Sequence, residues 1–323
     1  MHSEVTFPRL LGDVGGTNAR FAWQAAAGAA LTDVSTLPAA AHLTLLHAIR
    51  AYLVMHHHPA PRWCAIGIAN PITGDQVQMT NHHWSFSVSA IKEALGLDRF
   101  LLINDFTALA LSLPELEPRQ LLQVGGGAPV TGSAMALLGP GTGLGVSGLL
   151  HCGSAHPVAL NGEGGHVTLG GASAREDAVV ASLRRRYGHA SAERALSGPG
   201  LVNLYDALCD IERSEPRSMT AADVTAAAAS GSDRFAVEAL STFFSLLGSV
   251  AGNLALSLGA RGGVYIGGGI VPRLGAAILS SSFRARFEGN GRMQAYLATI
   301  PVFVVTADTS PALIGANRAL DVL

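Results

Sequence analysis

The stretch Leu10–Phe21, LLGDVGGTNARF, constrains this chain more than any other. An apolar run ends in Gly12-Asp13, then Gly15, Gly16, Thr17 and Asn18 follow, and a second apolar run, Phe21–Trp23, starts at once. That pattern predicts a strand, a tight glycine turn and an antiparallel strand. Glycines in such a turn let backbone N–H groups approach an anion, and Thr17 adds a hydroxyl donor. Asp13 stands where a carboxylate holds a metal-bound water, which suits the phosphates of a nucleotide with Mg²⁺. The same residues also suit an ordinary glycine hairpin.

The rest of the chain repeats this theme. Strands are predicted at Leu10–Val14, Phe21–Gln24, Leu31–Thr36, Trp63–Ala69 and Phe100–Ile103, with a further short one at Gln76–Thr80. Helices are predicted at Leu43–His56, Ser89–Leu95 and Phe106–Leu113, the last stopped by Pro114. A similar order then returns. Strand Ala134–Leu138 leads into the glycine turn Gly139–Gly145, and strands Val146–Leu150 and Pro157–Leu160 follow. Helices are read at Ala174–Tyr187, Pro199–Ile211, Ala221–Ala229 and Phe235–Leu258, then strand Val264–Ile266, helix Val271–Leu279, strand Val302–Val305 and helix Ala312–Leu320. Gly248 and Gly252 in the long helix would admit a second helix closely. The chain thus reads as two copies of one α/β unit, each opening with a glycine-turn hairpin. The boundary falls near Pro114–Pro118, giving a smaller domain over 1–115, completed by the C-terminal helix at about 306–323, and a larger one over 116–305.

Composition narrows the function. The length, 323 residues, suggests about two domains. The formal net charge is −2, with no basic excess for nucleic acid. The chain has three cysteines, Cys64, Cys152 and Cys209, set far apart, so zinc-knuckle and Cys-x-x-Cys redox motifs are missing and a reducing cytoplasm is expected. No uninterrupted apolar run reaches the length of a membrane span, and a soluble protein is expected.

Other nucleotide machineries fail on spacing. Gly143-x-Gly145-x-x-Gly148 fits a dinucleotide fingerprint, but that motif needs a helix after it and here a strand continues. Lys92 is the one lysine; Glu93 follows it, so it cannot belong to a Walker A loop. Asp105-Phe106 lies 13 residues beyond Lys92, too close for a protein-kinase catalytic loop between them.

Several clusters carry candidate chemistry, each with a plainer reading beside it. Asn104-Asp105 ends an apolar strand, where ligand residues gather in open α/β sheets, and a carboxylate there can accept a hydroxyl proton; Asp105 is also a good cap for the following helix. Asn161–His166, NGEGGH, sets Glu163 and His166 three residues apart among glycines, suited to grip polar hydroxyls; as metal ligands they would lack an evident third. Glu193 reads equally as a surface charge. Gly267–Gly269 can seat a flat ring or simply make a tight strand–helix junction. His56–His58 reads as a solvated helix terminus rather than a metal site. Trp84, after His82-His83, is either core or beside a ligand.

LLGDVGGTNAR, ANPITGD, MTNHHW, INDF, GPGTGLG, GEGGH, SAERALSGPGLVNLY and GGVYIGGGIVPR occur in the order seen in bacterial glucokinases of the proteobacterial type, and the resemblance runs from about Leu10 to the C-terminus. It implies the hexokinase–actin–Hsp70 fold, two ribonuclease-H-like α/β domains facing a central cleft. It implies an ATP:D-glucose 6-phosphotransferase with ATP and Mg²⁺ and suggests a homodimer; a cytoplasmic location without nucleic-acid or membrane partners is the expectation from charge, cysteines and hydropathy. Carried over residue by residue, it makes Asp105 the general base and gives the sugar hydroxyls to Asn104, Asp105, Glu163, His166 and Glu193. Gly12, Asp13, Val14, Gly15, Gly16 and Thr17, with Gly141, Thr142, Gly143 and the rest of that turn to Gly145, hold phosphates, and Gly267, Gly268 and Gly269 lie near the adenosine. Mg²⁺ is held chiefly by ATP and water, with Asp13 reaching it through water. Phosphoryl transfer needs in-line positioning and charge neutralisation, which backbone N–H groups and Mg²⁺ supply, so the lysine shortage is no obstacle. Residues 1–9 precede the usual start, and the zinc motif of the repressor-related sugar kinases is missing. A kinase of another hexose or amino sugar, and an actin- or Hsp70-like ATPase scaffold, are the competing expectations.

Overall fold

The computed structural model describes residues 6–80, 82–151, 156–307 and 309–323, so Asn81 of the MTNHHW motif, Cys152 and the first five residues lie outside the described residues. The chain divides into two units, the first taking in the described residues of Met1–Glu117, Cys152–Asn161 and Ala307–Leu323 and the second Pro118–His151 and Gly162–Thr306.

In the first unit the chain forms β1 (Arg9–Val14), β2 (Asn18–Gln24), β3 (Thr32–Pro38), α1 (Leu45–Met55), β4 (Trp63–Ile68), a small hairpin of β5 (Gln76–Gln78) and β6 (Ser85–Ser87), α2 (Val88–Leu95), β7 (Arg99–Asn104) and α3 (Asp105–Ser112). The main sheet runs β3-β2-β1-β4-β7, antiparallel across β3, β2 and β1 and parallel from β1 through β4 to β7. Leu10, Val14, Phe21, Ile66 and Ile68 point into a core closed by α1 through Ile49 and Tyr52. Trp84 belongs to that core; it is 1% exposed, and its indole N–H donates to the His42 carbonyl.

Two local features depart from expectation. The His56–His58 run does not simply end in solvent. α1 stops against the edge strand β3, where Asp33 adopts a left-handed backbone (φ 53°). His58 stacks on Trp23 with ring centroids 4.1 Å apart and lies 3.1 Å from the Asp33 carboxylate, while His56 shares a 2.8 Å hydrogen bond with Ser35. The second correction concerns α3. Asn104, not Asp105, is its cap; the Asn104 Oδ1 accepts the N–H groups of Phe106 and Thr107.

In the second unit lie β8 (Leu121–Val124), β9 (Met135–Pro140) and β10 (Leu144–Leu150), with β11 (Val158–Ala159) falling to the first; then α4 (Ala174–Tyr187), α5 (Gly198–Ile211), α6 (Ala221–Ser230), α7 (Arg234–Leu258), β12 (Val264–Ile266), α8 (Val271–Leu274), α9 (Phe283–Glu288), α10 (Gln294–Ala298) and β13 (Val302–Val305). Here β10-β9-β12-β13-β8 are neighbours, with β9 and β10 antiparallel and β9, β12 and β13 parallel. That is the order and polarity of β2-β1-β4-β7, so the duplication expected from element order is real at the level of the sheets, and both units are ribonuclease-H-like. The helix expected over Val271–Leu279 is shorter than that: it ends at Leu274 and tightens into a 3₁₀ run over Gly275–Ser280.

α7 has the length and apolar character of a membrane-crossing helix, yet more than half of that stretch is buried within the structure. It packs against α5, α6 and α9. Gly248 and Gly252 let α9 approach, since a Cβ at either would meet the backbone of Phe283 or Phe287.

The C-terminal helix, α11 (Pro311–Val322), lies in the first unit. Its Leu313, Ala316 and Leu320 cover Leu11, Ala22 and Ala65 on the face of the sheet away from α1. Arg9 donates to Asn317 and, at 2.7 Å, to Asp321, and Arg99 donates to the Leu320 carbonyl. Gly315 sits against α3, with no space for a Cβ beside the Ala108 carbonyl.

Candidate active site

The candidate residues of the first unit gather at the carboxyl ends of β1, β4 and β7. Asp13 of β1 is level with Gly67 of β4, and Gly67 with Ile103 of β7, so Asn104 and Asp105 follow one step beyond. Asp13 and the start of α3 are therefore about two strand spacings apart, roughly 10 Å. Gly67 makes this possible: a Cβ there would stand 3.1 Å from the Ala108 side chain and 3.5 Å from the Asp105 Cα. Asn104 and Asp105 are both half-buried. Because the Asn104 Oδ1 is spent on capping, its amide N–H₂ is the part able to donate to a ligand. The Asp105 Oδ1 accepts the Phe106 N–H at 3.0 Å.

Two donors hold Asp13. The Ser310 hydroxyl donates to Oδ2 at 2.7 Å, and an Arg20 N–H reaches the same oxygen at 3.3 Å. Sequence reading missed both. Ser310-Pro311 does carry a helix-start signature, but nothing in the sequence aims that hydroxyl at a residue 297 positions away. The turn after Asp13 is closed by the Gly15 N–H donating to the Asn18 carbonyl at 2.9 Å, leaving Thr17 exposed at its tip and Gly16 beside it. Val14 is buried in the core, so only its backbone is available to a ligand. Gly12 has a packing reason as well, since a Cβ would come within 2.9 Å of Ile66.

The candidates of the second unit meet around the other glycine turn. There the Gly141 N–H donates to Gly143, the Gly198 N–H at the head of α5 donates to the Gly141 carbonyl, and Thr142 is exposed at the tip. Glu193, on a single 3₁₀ turn over Ala192–Arg194, accepts the Leu144 N–H on its Oε2 at 2.9 Å. The GEGGH segment lies against the same strand: a Cβ at Gly165 would have no space beside the Leu144 carbonyl, and one at Gly164 would meet the Val146 side chain. Glu163 and His166, on either side of those glycines, are exposed. Glu193 is thus not a plain surface charge; it is tied to the turn.

Gly267–Gly269 joins β12 to α8. Gly268 has a left-handed φ of 74° and no space for a Cβ beside the Pro140 carbonyl, so a tight junction already demands glycine there. Gly269 is more open: a Cβ there would lie 3.6 Å from the Arg273 guanidinium, its nearest neighbour. Among the described residues no three His, Cys, Asp or Glu side chains form a cage for a metal ion.

The glucokinase family model matches residues 10–322. A glucokinase of Aromatoleum aromaticum is 52% identical over 317 residues, which cover 98% of this chain and 95% of that protein. One from Chromobacterium violaceum is 54% identical over 315 residues, covering 97% and 89%. Among solved structures, the glucokinase from an Antarctic psychrotroph superposes with a TM-score of 0.88 at 37% identity, covering 97% of this chain and 98% of that one. With sheet order, motif order and near-complete alignment in agreement, the chain belongs to the glucokinase family.

Proposed function

We propose that the chain transfers the γ-phosphoryl group of ATP to the 6-hydroxyl of D-glucose. The observation that supports this most is the Asp105 carboxylate at the carboxyl end of β7, in a chain whose relatives are named glucokinase: the Asn104 Oδ1 caps α3 through the Phe106 and Thr107 N–H groups, and the Asp105 Oδ1 shares the Phe106 N–H. In this reading Asp105 takes the proton of the attacking hydroxyl. Asn104 donates its amide to the sugar, and Glu163, His166 and Glu193 hold further hydroxyls. The turns Gly12–Thr17 and Gly141–Gly143 receive the phosphates through backbone N–H groups that the strand ladders and the turn-closing bonds leave over, and the backbone at Gly267–Gly269, most open at Gly269, receives the adenosine.

The residues suit Mg²⁺ brought in with ATP. Asp13 is a carboxylate with Oδ2 engaged by two donors, which leaves Oδ1 to accept from a metal-bound water. Mg²⁺ keeps several waters and is usually held by substrate phosphates with one or two carboxylates, so one such residue suffices. When bound, the ion neutralises charge on the transferring phosphoryl group. We also read the protein as cytoplasmic and homodimeric; the buried free thiols of Cys64 and Cys209 suit a reducing compartment, and light scattering on the purified protein tests the dimer.

The deciding experiment is ADP release with ATP, Mg²⁺ and a panel of hexoses and amino sugars, for wild type and Asp105→Asn. Glucose-dependent turnover is expected, falling by roughly 10²–10⁴-fold in the variant. Turnover only with another sugar would move the substrate, and equal rates in the two proteins would remove Asp105 from the chemistry.

A further inference from the structure

Ser310 occupies the cap position of α11, a helix of 12 residues, yet its hydroxyl makes no capping bond. A serine at this position ordinarily accepts an N–H of the helix's first turn. Here the Ser310 Oγ donates instead to the Asp13 Oδ2, at 2.7 Å. The helix behind it is anchored: Gly315 seats α11 against α3, Arg9 fastens Asn317 and Asp321, and Arg99 fastens the Leu320 carbonyl. The hydroxyl is therefore presented from a fixed support. The other donor to the same oxygen, Arg20, is longer at 3.3 Å and its side chain is 40% exposed, so water weakens its hold.

We propose that Ser310 is a positioning residue for the metal–nucleotide complex: by holding Oδ2, it turns the Asp13 Oδ1 toward the water shell of a divalent cation bound with the nucleotide. This rests on the reading of Asp13 as an outer-sphere metal residue. Hydrogen-bond partners that orient metal-ligating carboxylates govern metal affinity although they never touch the metal, and the same logic extends to a carboxylate that reaches the metal through water. Ser310 does so from the C-terminal segment, nearly the full length of the chain away from the turn it serves.

The test is calorimetric binding of ADP at increasing Mg²⁺ to wild type, Ser310→Ala, Ser310→Thr and Asp13→Asn, with ADP in EDTA and glucose binding as controls. Ser310→Ala should raise the Mg²⁺ needed for half-maximal ADP affinity by roughly tenfold. Metal-free ADP binding and glucose binding should stay within about twofold, and Ser310→Thr, which keeps the hydroxyl, should restore the wild-type response. If Asp13→Asn shifts the Mg²⁺ response and Ser310→Ala does not, the inference about Ser310 is wrong. If neither shifts it, the reading of Asp13 is wrong as well. Equal losses in metal-free ADP, Mg-ADP and glucose binding with Ser310→Ala would mean a structural role only and would also overturn the proposal.

Discussion

The Glu193 carboxylate accepts the backbone N–H of Leu144 at 2.9 Å, so a residue proposed to hold the sugar is fastened to the turn proposed to hold the phosphates. The fit is close: a Cβ at Gly143 would run into the Glu193 Oε2, and one at Gly165 of the GEGGH segment would run into the Leu144 carbonyl. Sugar that draws on Glu193 must act on that turn, and nucleotide that reshapes the turn must act on Glu193. Glucose and ADP should therefore bind with a mutual coupling of about fivefold or more, equal in both directions. Glu193→Ala should weaken glucose binding and bring the coupling close to one. Calorimetric titration of each ligand with and without the other checks this, and an Ala variant with unchanged coupling would show that the contact carries nothing between the sites.

Asn104 holds two duties that substitution can separate. Its Oδ1 caps α3 through Phe106 and Thr107, and its amide is the donor offered to the sugar. Aspartate caps as well as asparagine but cannot donate. Asn104→Asp should keep the unfolding midpoint while raising the KM for glucose. Asn104→Ala should lose both, with a stability loss of about 1 kcal/mol. Urea unfolding beside steady-state kinetics distinguishes the two variants.

The acid side of stability has a local contributor in the NPITGD turn. Asp75 accepts the Ser87 hydroxyl at 2.6 Å and the Ser89 N–H at 2.8 Å, and the same Ser87 hydroxyl oxygen caps α2 by accepting the Ala90 N–H. The side-chain bond from Ser87 first, then the Ser89 N–H, holds the Asp75 carboxyl below its ordinary value. A group depressed in the folded state stabilises above its unfolded pKa of about 3.9 and loses that contribution as pH falls through the folded value. Asp75→Asn should therefore be less stable than wild type at pH 7, with the gap narrowing below about pH 4. Unfolding midpoints measured across that range decide it.

How much of this is legible in the sequence depends on how local each signal is. The glycine turns, the strand ends bearing Asp13 and Asn104-Asp105, and the order of elements follow from short-range pattern, and the sheets obey it. β8 and α9 escaped it. β8 has only four residues, two half-buried, one exposed and one buried, and so little alternation to detect. α9 is six residues between serines and glycines, and its two buried phenylalanines, Phe283 and Phe287, have meaning only beneath Gly248 and Gly252 of α7. His56 and His58 depend on Asp33, more than twenty residues earlier in the chain, and Ser310 on Asp13 at the other end of it. Such partners are set by tertiary packing, which no window of sequence contains. The capping of α3 failed for a different reason: Asn104 and Asp105 are both good caps, and the choice turned on where β7 ends.

The candidate carboxylates of the first unit, Asp13 and Asp105, share one support. α3 begins with Asp105, α11 follows directly on Ser310, and the two helices meet where Gly315 faces the Ala108 carbonyl. Gly67 lies under the same α3 residue, with its missing Cβ 3.1 Å from the Ala108 side chain. Alanine is a better helix former than glycine by about 1 kcal/mol, so propensity alone says that Gly315→Ala should stabilise α11. Packing says the reverse, because the added methyl falls on a backbone oxygen that only a shift of the whole helix can move, and overpacking of this kind costs about 1–3 kcal/mol. Packing wins: the variant should unfold at lower urea. Since α11 can only yield by lifting from α3, it should also lose part of the Mg²⁺-dependent ADP affinity that Ser310 supports. An unfolding midpoint above that of wild type would mean that propensity prevails and that the two helices are not held in fixed contact at this point.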